Sequence, residues 1–336
     1  MIIVTMSTQD RVTQACLICL TSIGLTFALI YTKPALMPLV FAVFFYYMLK
    51  PVLRFFQTKL RLSRFISLGL SFAIVLTIIG LLGLIVANSI DTVLASADLY
   101  RTRIVDFMDW LIPLLQSRGI PLDGESWRQH INDLPVFSWL GHFTQNLVGI
   151  LGTSGLVILF LIFLLLGENK PPKPSKLLEE IDSRVTRYVS IKLFISFMTS
   201  ICSFGALMLT GTDLAFMFAI LTFFLNFVPT VGSLAAIVLP IPVILLQHGF
   251  DWHIVASLSA LVAIQFFFGN ILETKLMGQK FGLHPITVMV FLIFWGLVWG
   301  IPGMFLATPI TAVLQIILAR LDNTRPLAEF MAGSIR

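Results

Sequence analysis

Apolar residues in this chain run on far longer than the one-sided stripe of a soluble helix allows. Residues 65–90, 146–166 and 253–272 are nearly unbroken hydrocarbon. At roughly 1.5 Å per residue, a helix over each crosses a hydrocarbon layer of about 30 Å. Residues 12–32 form an earlier run behind Arg11, with no small-residue cleavage site after it, so the pattern predicts an uncleaved first span. A second span precedes KPVLRFFQTKLRLSR at 50–64, and residues 193–210 can cross again. Two shorter runs, 214–227 and 234–247, fit a hairpin that enters and returns, or two tilted spans. The pattern closes with 286–300 and 303–319, a pair interrupted by Gly-Ile-Pro-Gly. Helices satisfy their own backbone in lipid. The predicted fold class is therefore an all-α polytopic membrane protein of about eight transmembrane helices plus a re-entrant or broken-helix hairpin.

Composition strengthens this picture: 57% of residues are hydrophobic and 12% charged, against about 25% charged in an ordinary soluble domain. The net charge of +5 does not point to nucleic acid, because the charges fall in loops. Lys50, Arg54, Lys59, Arg61 and Arg64 form one basic segment; Lys170, Lys173, Lys176, Arg184, Arg187 and Lys192 form another. Positive charge marks cytoplasmic loops, and Arg11, Lys275, Lys280, Arg320, Arg325 and Arg336 fall on the same side. Only Lys33, Arg101, Arg103, Arg118 and Arg128 remain opposite, so both termini are expected in the cytoplasm.

The acid-rich segment 91–145 is expected as a small extracytoplasmic helical domain. Val105, Met108, Ile112 and Leu115 have helical spacing, RGIPLDGE reads as a turn, and a second short helix starts at Ser126. Trp110, Trp127 and Trp139 read as interfacial anchors, with a ligand-binding aromatic surface as the rival role. The expected organisation is 1–90 for helices 1–3, 91–145 for the outer domain, 146–192 for helix 4 and a basic loop, 193–320 for a transport core, and 321–336 for a cytoplasmic tail. Cys16, Cys19 and Cys202 lie in apolar runs and read as small buried hydrophobes.

One polar stretch interrupts the C-terminal hydrocarbon: LNFVPTVGS at 225–233. Pro229 removes a backbone donor and Gly232 permits unusual backbone angles, so the helix breaks there. Freed carbonyls and N–H groups, with Asn226, Thr230 and Ser233, offer a polar site of the kind that lines transport pathways. The competing reading is an interfacial turn in which Asn226 and Ser233 merely cap helices. Glu273, at the end of an apolar stretch, is a candidate ion or proton carrier, or else an interfacial carboxylate paired with Lys275 or Lys280. Gln265 and Asn270 lie on the same expected helix, with Asn270 closer to the Glu273 face; interhelical hydrogen bonding is their alternative role. Asp213 reads as a helix N-cap, or as a coupling carboxylate. Gly296, Gly300 and Gly303 are expected at close helix packing, the first two with GxxxG spacing, and Pro302, Gly303 and Pro309 kink or break the last pair.

Several chemistries fall away. GTSG at 152–155 matches a serine-protease pattern, but His130, His142, His248, His253 and His284 all lie in expected loops or span ends, out of reach as a base. His248, Asp251 and His253 lack regular zinc-ligand spacing, and no metal or cofactor is expected. No phosphate-binding loop occurs. The chain reads as no enzyme.

NFVPTVGS at 226–233, QFFFGNILETKLMG at 265–278, FGLHP at 281–285 and FWGLVWGIPGMFLATPI at 294–310 together resemble the autoinducer-2 exporter family, the AI-2E or PerM-like permeases. The KPVL element and the outer domain fit that layout. The resemblance implies an eight-helix transporter of the bacterial inner membrane that assembles as a homo-oligomer, with a pentamer among the implied forms. Members are assigned autoinducer-2 export or sodium (lithium)/proton antiport. The leading expectation is export of a small polar molecule, autoinducer-2 the named candidate, past Asn226, Pro229, Thr230, Gly232, Ser233, Gln265, Asn270 and Glu273. An antiporter using Glu273 or Asp213, and an oligomeric scaffold without transport, are the alternatives. Expected partners are membrane lipid, further copies of the chain and a small-molecule or cation substrate, without nucleic acid.

Overall fold

A chain that crosses lipid must close its backbone hydrogen bonds within each crossing, and helices account for every regular element among the described residues. The computed structural model describes residues 8–95, 155–167, 175–249, 251–277, 283–321 and 324–333, with isolated positions between 102 and 117. The N-terminal helices are α1 (Thr8–Tyr31), α2 (Lys33–Thr58), α3 (Arg64–Ala95) and α4 (Gly155–Leu166). The central ones are α5 (Lys176–Leu209), α6 (Ala215–Leu225), α7 (Val231–Val238), α8 (Ile241–His248) and α9 (Trp252–Gln265). A π-helical segment, Phe266–Leu272, leads into α10 (Glu273–Met277), followed by α11 (Pro285–Trp299), α12 (Ile301–Leu318) and α13 (Arg325–Ala332). Five helical stretches are long and apolar enough to cross a membrane: Lys33–Thr58, Lys176–Leu209, Val231–His248, Trp252–Met277 and Ile301–Leu318. Trp110, Trp127, Trp139 and most of segment 91–145 lie outside the described residues.

α5 organises the molecule, touching α2, α6, α9, the π segment, α10 and α12. Its 34 residues rise roughly 51 Å, more than a bilayer core needs. The basic segment expected as a loop up to residue 192 is therefore helical from Lys176 onward. The cause is local: Ser175 caps the start by accepting from the Leu178 N–H. In the same way α2 runs through Lys50 and Pro51 to Thr58, so the first half of the expected loop at 50–64 is helix. Arg64 then donates to the Leu165 carbonyl at 2.8 Å, closing the end of α4.

The core is aromatic where α2, α5 and α12 meet. Phe44, Tyr188, Phe227 and Leu306 are buried there. Phe227 stacks on Phe305 at 4.7 Å and meets Phe44 edge-on at 5.8 Å, geometries that add to simple burial. A second cluster joins α11 to α12 through Trp295, Val298, Trp299 and Ala307. Trp299 also donates its ring N–H to Leu29 of α1 at 3.1 Å. At the C-terminal end, the Met331 carbonyl of α13 accepts from the His284 N–H at 2.8 Å and the Thr287 hydroxyl at 3.0 Å. The segment expected as a tail is thus docked on the start of α11.

The glycines of the last pair divide their work differently from a GxxxG seam. Gly300 has φ +75° and forms the turn between α11 and α12; it makes no close helix contact. The close approach belongs to Gly296, where a Cβ would stand 3.0 Å from Met304, and to Gly303, where it would stand 2.0 Å from the Trp295 carbonyl oxygen. Backbone cannot retreat as a flexible side chain can. Gly303→Ala should lower thermal stability in detergent by about 1–3 kcal/mol, the cost of overpacking, whereas Gly24→Ala, with open space around it, should leave the melting temperature unchanged. Equal melting temperatures for the two variants would refute this contact.

Candidate functional site

Helical spacing puts Lys192, Ser196, Thr199 and Ser203 on one face of α5, at successive offsets of four, three and four. Each is at most 2% exposed. Thr210, just past the end of α5, continues the row, and the rise from Lys192 to Thr210 is roughly 27 Å, close to the thickness of a hydrocarbon core. Polar groups at such depth are costly unless paired, and most of these are. Lys192 donates to Glu273 of α10 at 2.6 Å. Ser196 accepts from the Asn226 amide at 3.1 Å, Thr199 donates to its own helix at the Ile195 carbonyl, and Ser257 of α9 donates to Thr210 at 2.9 Å. Beside the row, Ser200 donates to the Ala219 carbonyl of α6 at 2.7 Å.

Two members of this layer have no partner among the described residues. The Ser203 hydroxyl is one; the Gln265 side chain, 4% exposed, is the other, with both amide atoms unsatisfied. Ser257 and Glu273 each lie eight residues from Gln265. It therefore stands midway between the two rungs that tie α9 and α10 to α5. A buried carboxamide offers two donors and two acceptor lone pairs, and leaving them empty costs about 1–3 kcal/mol. Such a carboxamide can donate to and accept from a polar guest.

The broken helix at 225–233 is one wall of the site. α6 is one arm of a hairpin and α7 with α8 the other, and their far ends meet: the Gln247 side chain of α8 accepts from the Asp213 N–H at 2.7 Å and donates to the Gly211 carbonyl at 3.3 Å. At the tip, Asn226, Phe227 and Val228 are 2%, 1% and 6% exposed, so this half of the break is enclosed by protein. Thr230, by contrast, is exposed and has φ +60°, ψ −58°. With the Val231 N–H bonded to the Pro229 carbonyl at 2.7 Å, this is a γ-turn of the rare, strained kind. Gly232 follows because nothing larger fits: a Cβ there would lie 1.7 Å from the Leu225 carbonyl oxygen. Asn226 holds the C-cap position of α6, but side-chain capping is not its bond. Asn226 spends its side chain on Ser196, and the α7 N-cap, Thr230, makes no side-chain cap.

The opposite wall is α9, the π segment and α10. π winding, with its i→i+5 bonds, resets the angular register between Gln265 and Glu273 and is often found at functional sites. One result corrects the expected grouping: Asn270 is exposed, away from the buried layer. Gly269 of the same turn faces the hairpin, with Ser233 Oγ 3.9 Å from where its Cβ would be. Glu273 pairs with Lys192, not with Lys275, and has Tyr188, one turn earlier on α5, as a buried neighbour. Asp213 stands at the Thr210 end of α5, far along the helix from Lys192. It is not the α6 N-cap; Leu214 holds that position with φ +59°.

The structure thus ties Asn226 and Glu273 to α5, buries Gln265 on α9, which packs on α5, and sets Ser233 near Gly269 of the π segment, while Thr230 and Asn270 are exposed and Asp213 lies apart. Lys192, Ser196, Thr199 and Ser203 were not among the expected site residues. Their spacing was a readable signal, but Lys192 looked like the last residue of a basic loop. His248 and His253 stack at 4.1 Å, and His253 bonds Asp251 at 2.9 Å. Asp251 also accepts from the Trp252 N–H, which holds its carboxyl below the usual range. Among the described residues no cluster of three or more His, Cys, Asp or Glu side chains is arranged to hold a metal ion.

Breaking one partner of a buried ion pair strands the other's charge. Glu273→Ala should therefore destabilise the protein by about 3 kcal/mol, the low end of the usual range, because the Glu273 side chain is 20% exposed. Lys192→Met in the same chain should recover much of that loss. Unfolding of the two single variants and the double variant in detergent measures the coupling, and strictly additive losses would contradict it.

A broken hairpin packed on a polar helix face, beside a π turn, is a transporter-like arrangement, and comparison with known proteins agrees. The family model described as AI-2E family transporter matches residues 17–323. The chain is 26% identical over 316 residues to AI-2 transport protein TqsA of Escherichia coli (strain K12), covering 90% of each chain. It is 26% identical over 309 residues to a Haemophilus influenzae protein, covering 87% of this chain and 88% of that one. A Borreliella burgdorferi protein is 30% identical over 215 residues, 59% of each chain. The names of these last two assign them transport without a substrate. With a match over most of its length, this membrane protein belongs to the AI-2E transporter family.

Proposed function

We propose that this protein exports a small polar molecule across the bacterial inner membrane, with autoinducer-2 as the best candidate. The observation that carries the reading is the buried polar row on α5, bonded to the broken hairpin at Asn226 and to α9 and α10 at positions either side of Gln265, whose buried amide has no partner among the described residues. Its length matches a hydrocarbon core, and Ser203 on the row, like Gln265 on α9, holds neutral hydrogen-bonding groups without a partner among the described residues. A relative named for autoinducer-2 transport supports the choice of candidate. In this reading the chain crosses the membrane eight times, the Lys192 end of α5 and both termini face the cytoplasm, segment 91–145 is extracytoplasmic, and copies assemble into a homo-oligomer. Positive charge around α5's first turns supports that orientation.

The hairpin tip and the π turn are the elements that move. Both depart from regular helix at the level where polar groups face each other, and the positive φ at Thr230 is strain of the sort found at switching segments. Lys192 and Glu273 neutralise each other at the inner end, so an uncharged solute passes without having to displace a counter-ion. A second reading, sodium (lithium)/proton antiport, draws on the partly exposed carboxylate of Glu273, which would exchange Lys192 for a proton or a cation.

Proteoliposomes holding wild type, Gln265→Leu or Glu273→Gln separate the two. The export reading expects wild-type efflux of labelled autoinducer-2, lowered roughly tenfold by Gln265→Leu, the weight of one hydrogen bond in the transition state. Glu273→Gln keeps a hydrogen bond to Lys192 and should retain efflux. Sodium-dependent proton movement that disappears in Glu273→Gln, without autoinducer-2 efflux, would replace export by antiport. Silence in both assays from folded protein would favour a scaffold.

A further inference from the structure

Outside the polar site, α2, α5 and α12 enclose an open groove of about 380 Å³. Val43, Phe44, Val185, Pro309, Val313 and Ile317 are among its walls. The lining is apolar except for Tyr47, whose hydroxyl is held by Asp182. Along α12 the groove runs from Leu306 to Ile317, a rise of roughly 16 Å, about half of a hydrocarbon core of about 30 Å. That is the depth of one leaflet. Val40, Phe44 and Leu306 line one end; Tyr47, Ile181 and Ile317 line the other, toward the charged residues that flank the apolar stretches of α2, α5 and α12.

Charges at the latter end do not balance. Lys50 is matched by Asp182. Glu180, however, is shared by two arginines, Arg184 at 2.9 Å and Arg320 at 2.6 Å. Arg184 also reaches the neutral Gln315 oxygen at 3.5 Å. The group carries one more cation than carboxylate, and the Arg320 side chain is 48% exposed. Arg320 stands one turn beyond Ile317, at the height of a lipid phosphate whose chain would lie in the groove. Basic pockets between transmembrane helices of this kind bind anionic headgroups.

We infer that the groove is a site for one anionic phospholipid of the leaflet at the Arg320 end, an acyl chain lying along α12 and the phosphate against Arg320. On the reading above that leaflet is cytoplasmic. The lipid site does not depend on what the protein transports. It gives the exposed lip of the groove, Val43 at 37% and Ile317 at 41% exposed, an occupant with a charge preference that bulk lipid lacks.

The test uses the full chain purified in detergent, mixed with phosphatidylglycerol or with phosphatidylcholine of the same chains, and bound lipid counted by native mass spectrometry. The expected result is one phosphatidylglycerol retained per protomer in preference to phosphatidylcholine. Arg320→Gln, at a half-exposed position, should weaken that retention about fivefold, the factor given by roughly 1 kcal/mol per basic residue near a membrane surface. Val43→Trp, which narrows the lip, should weaken it without touching any charge. Equal retention of the two lipids, no retained lipid, or no effect of Arg320→Gln would overturn the inference. So would loss of oligomers in Val43→Trp with phosphatidylglycerol retention unchanged, since a second copy would then cover the groove.

Discussion

Polar groups placed in hydrocarbon must find partners inside the protein, and the row from Lys192 to Thr210 on α5 imposes that demand along nearly the whole thickness of a membrane. The demand explains the company α5 keeps. Glu273, Asn226 and Ser257 come from three different elements, and each meets one rung of the row. Apolar packing alone discriminates weakly between one helix face and another in lipid, because lipid tails are as apolar as leucine. Hydrogen bonds to a buried row do discriminate. They fix which faces of α6, α9 and α10 turn inward, and the aromatic contacts of Phe227 with Phe44 and Phe305 then lock the hairpin tip in place.

The same constraint locates the irregular backbone. A helix that ends at membrane depth leaves carbonyls and N–H groups to be satisfied. At the tip of the hairpin Val228 bonds back to Leu225 and Gly232 to Val228, so the chain turns within the protein at little cost in lost bonds. The remaining strain is concentrated in one residue, Thr230. On the facing wall the π segment serves the complementary purpose, carrying Glu273 to Lys192 while Gly269 approaches Ser233. Among the described residues, the Gln265 amide and the Ser203 hydroxyl have no partner.

Much of this was legible in the residues. The helical class and the break at Pro229 and Gly232 followed from hydrocarbon length and turn residues, and Asn226, Gln265 and Glu273 stood out as polar residues out of place; the structure buries the first two and pairs the third with Lys192. Other features were hidden for physical reasons. Lys192 sits at the junction of a basic segment and an apolar one, where charge counting assigns it to a loop; only the helix running on through 176–209 reveals that it is buried. Asn270 and Glu273 looked like neighbours because regular α spacing was assumed across a stretch that winds as a π-helix. Gly296, Gly300 and Gly303 were all expected at helix packing; the close approach is at Gly296 and Gly303, while positive φ makes Gly300 a turn. Asp213 lost the N-cap to Leu214 because the turn after Gly211 enters α6 through a left-handed residue.

The central claim is that the α5 row faces a path which water and solute enter. Single cysteines at Thr199 and Ser203, in a chain whose Cys16, Cys19 and Cys202 are replaced by serine or alanine, can be challenged with a membrane-impermeant thiol reagent and compared with cysteines at Phe197 and Ile201. The latter two are 53% and 49% exposed on the apolar side of the same helix. The account predicts modification at Thr199→Cys and Ser203→Cys and none at Phe197→Cys and Ile201→Cys. Lack of reaction at both row positions, or reaction at the apolar pair instead, would contradict it.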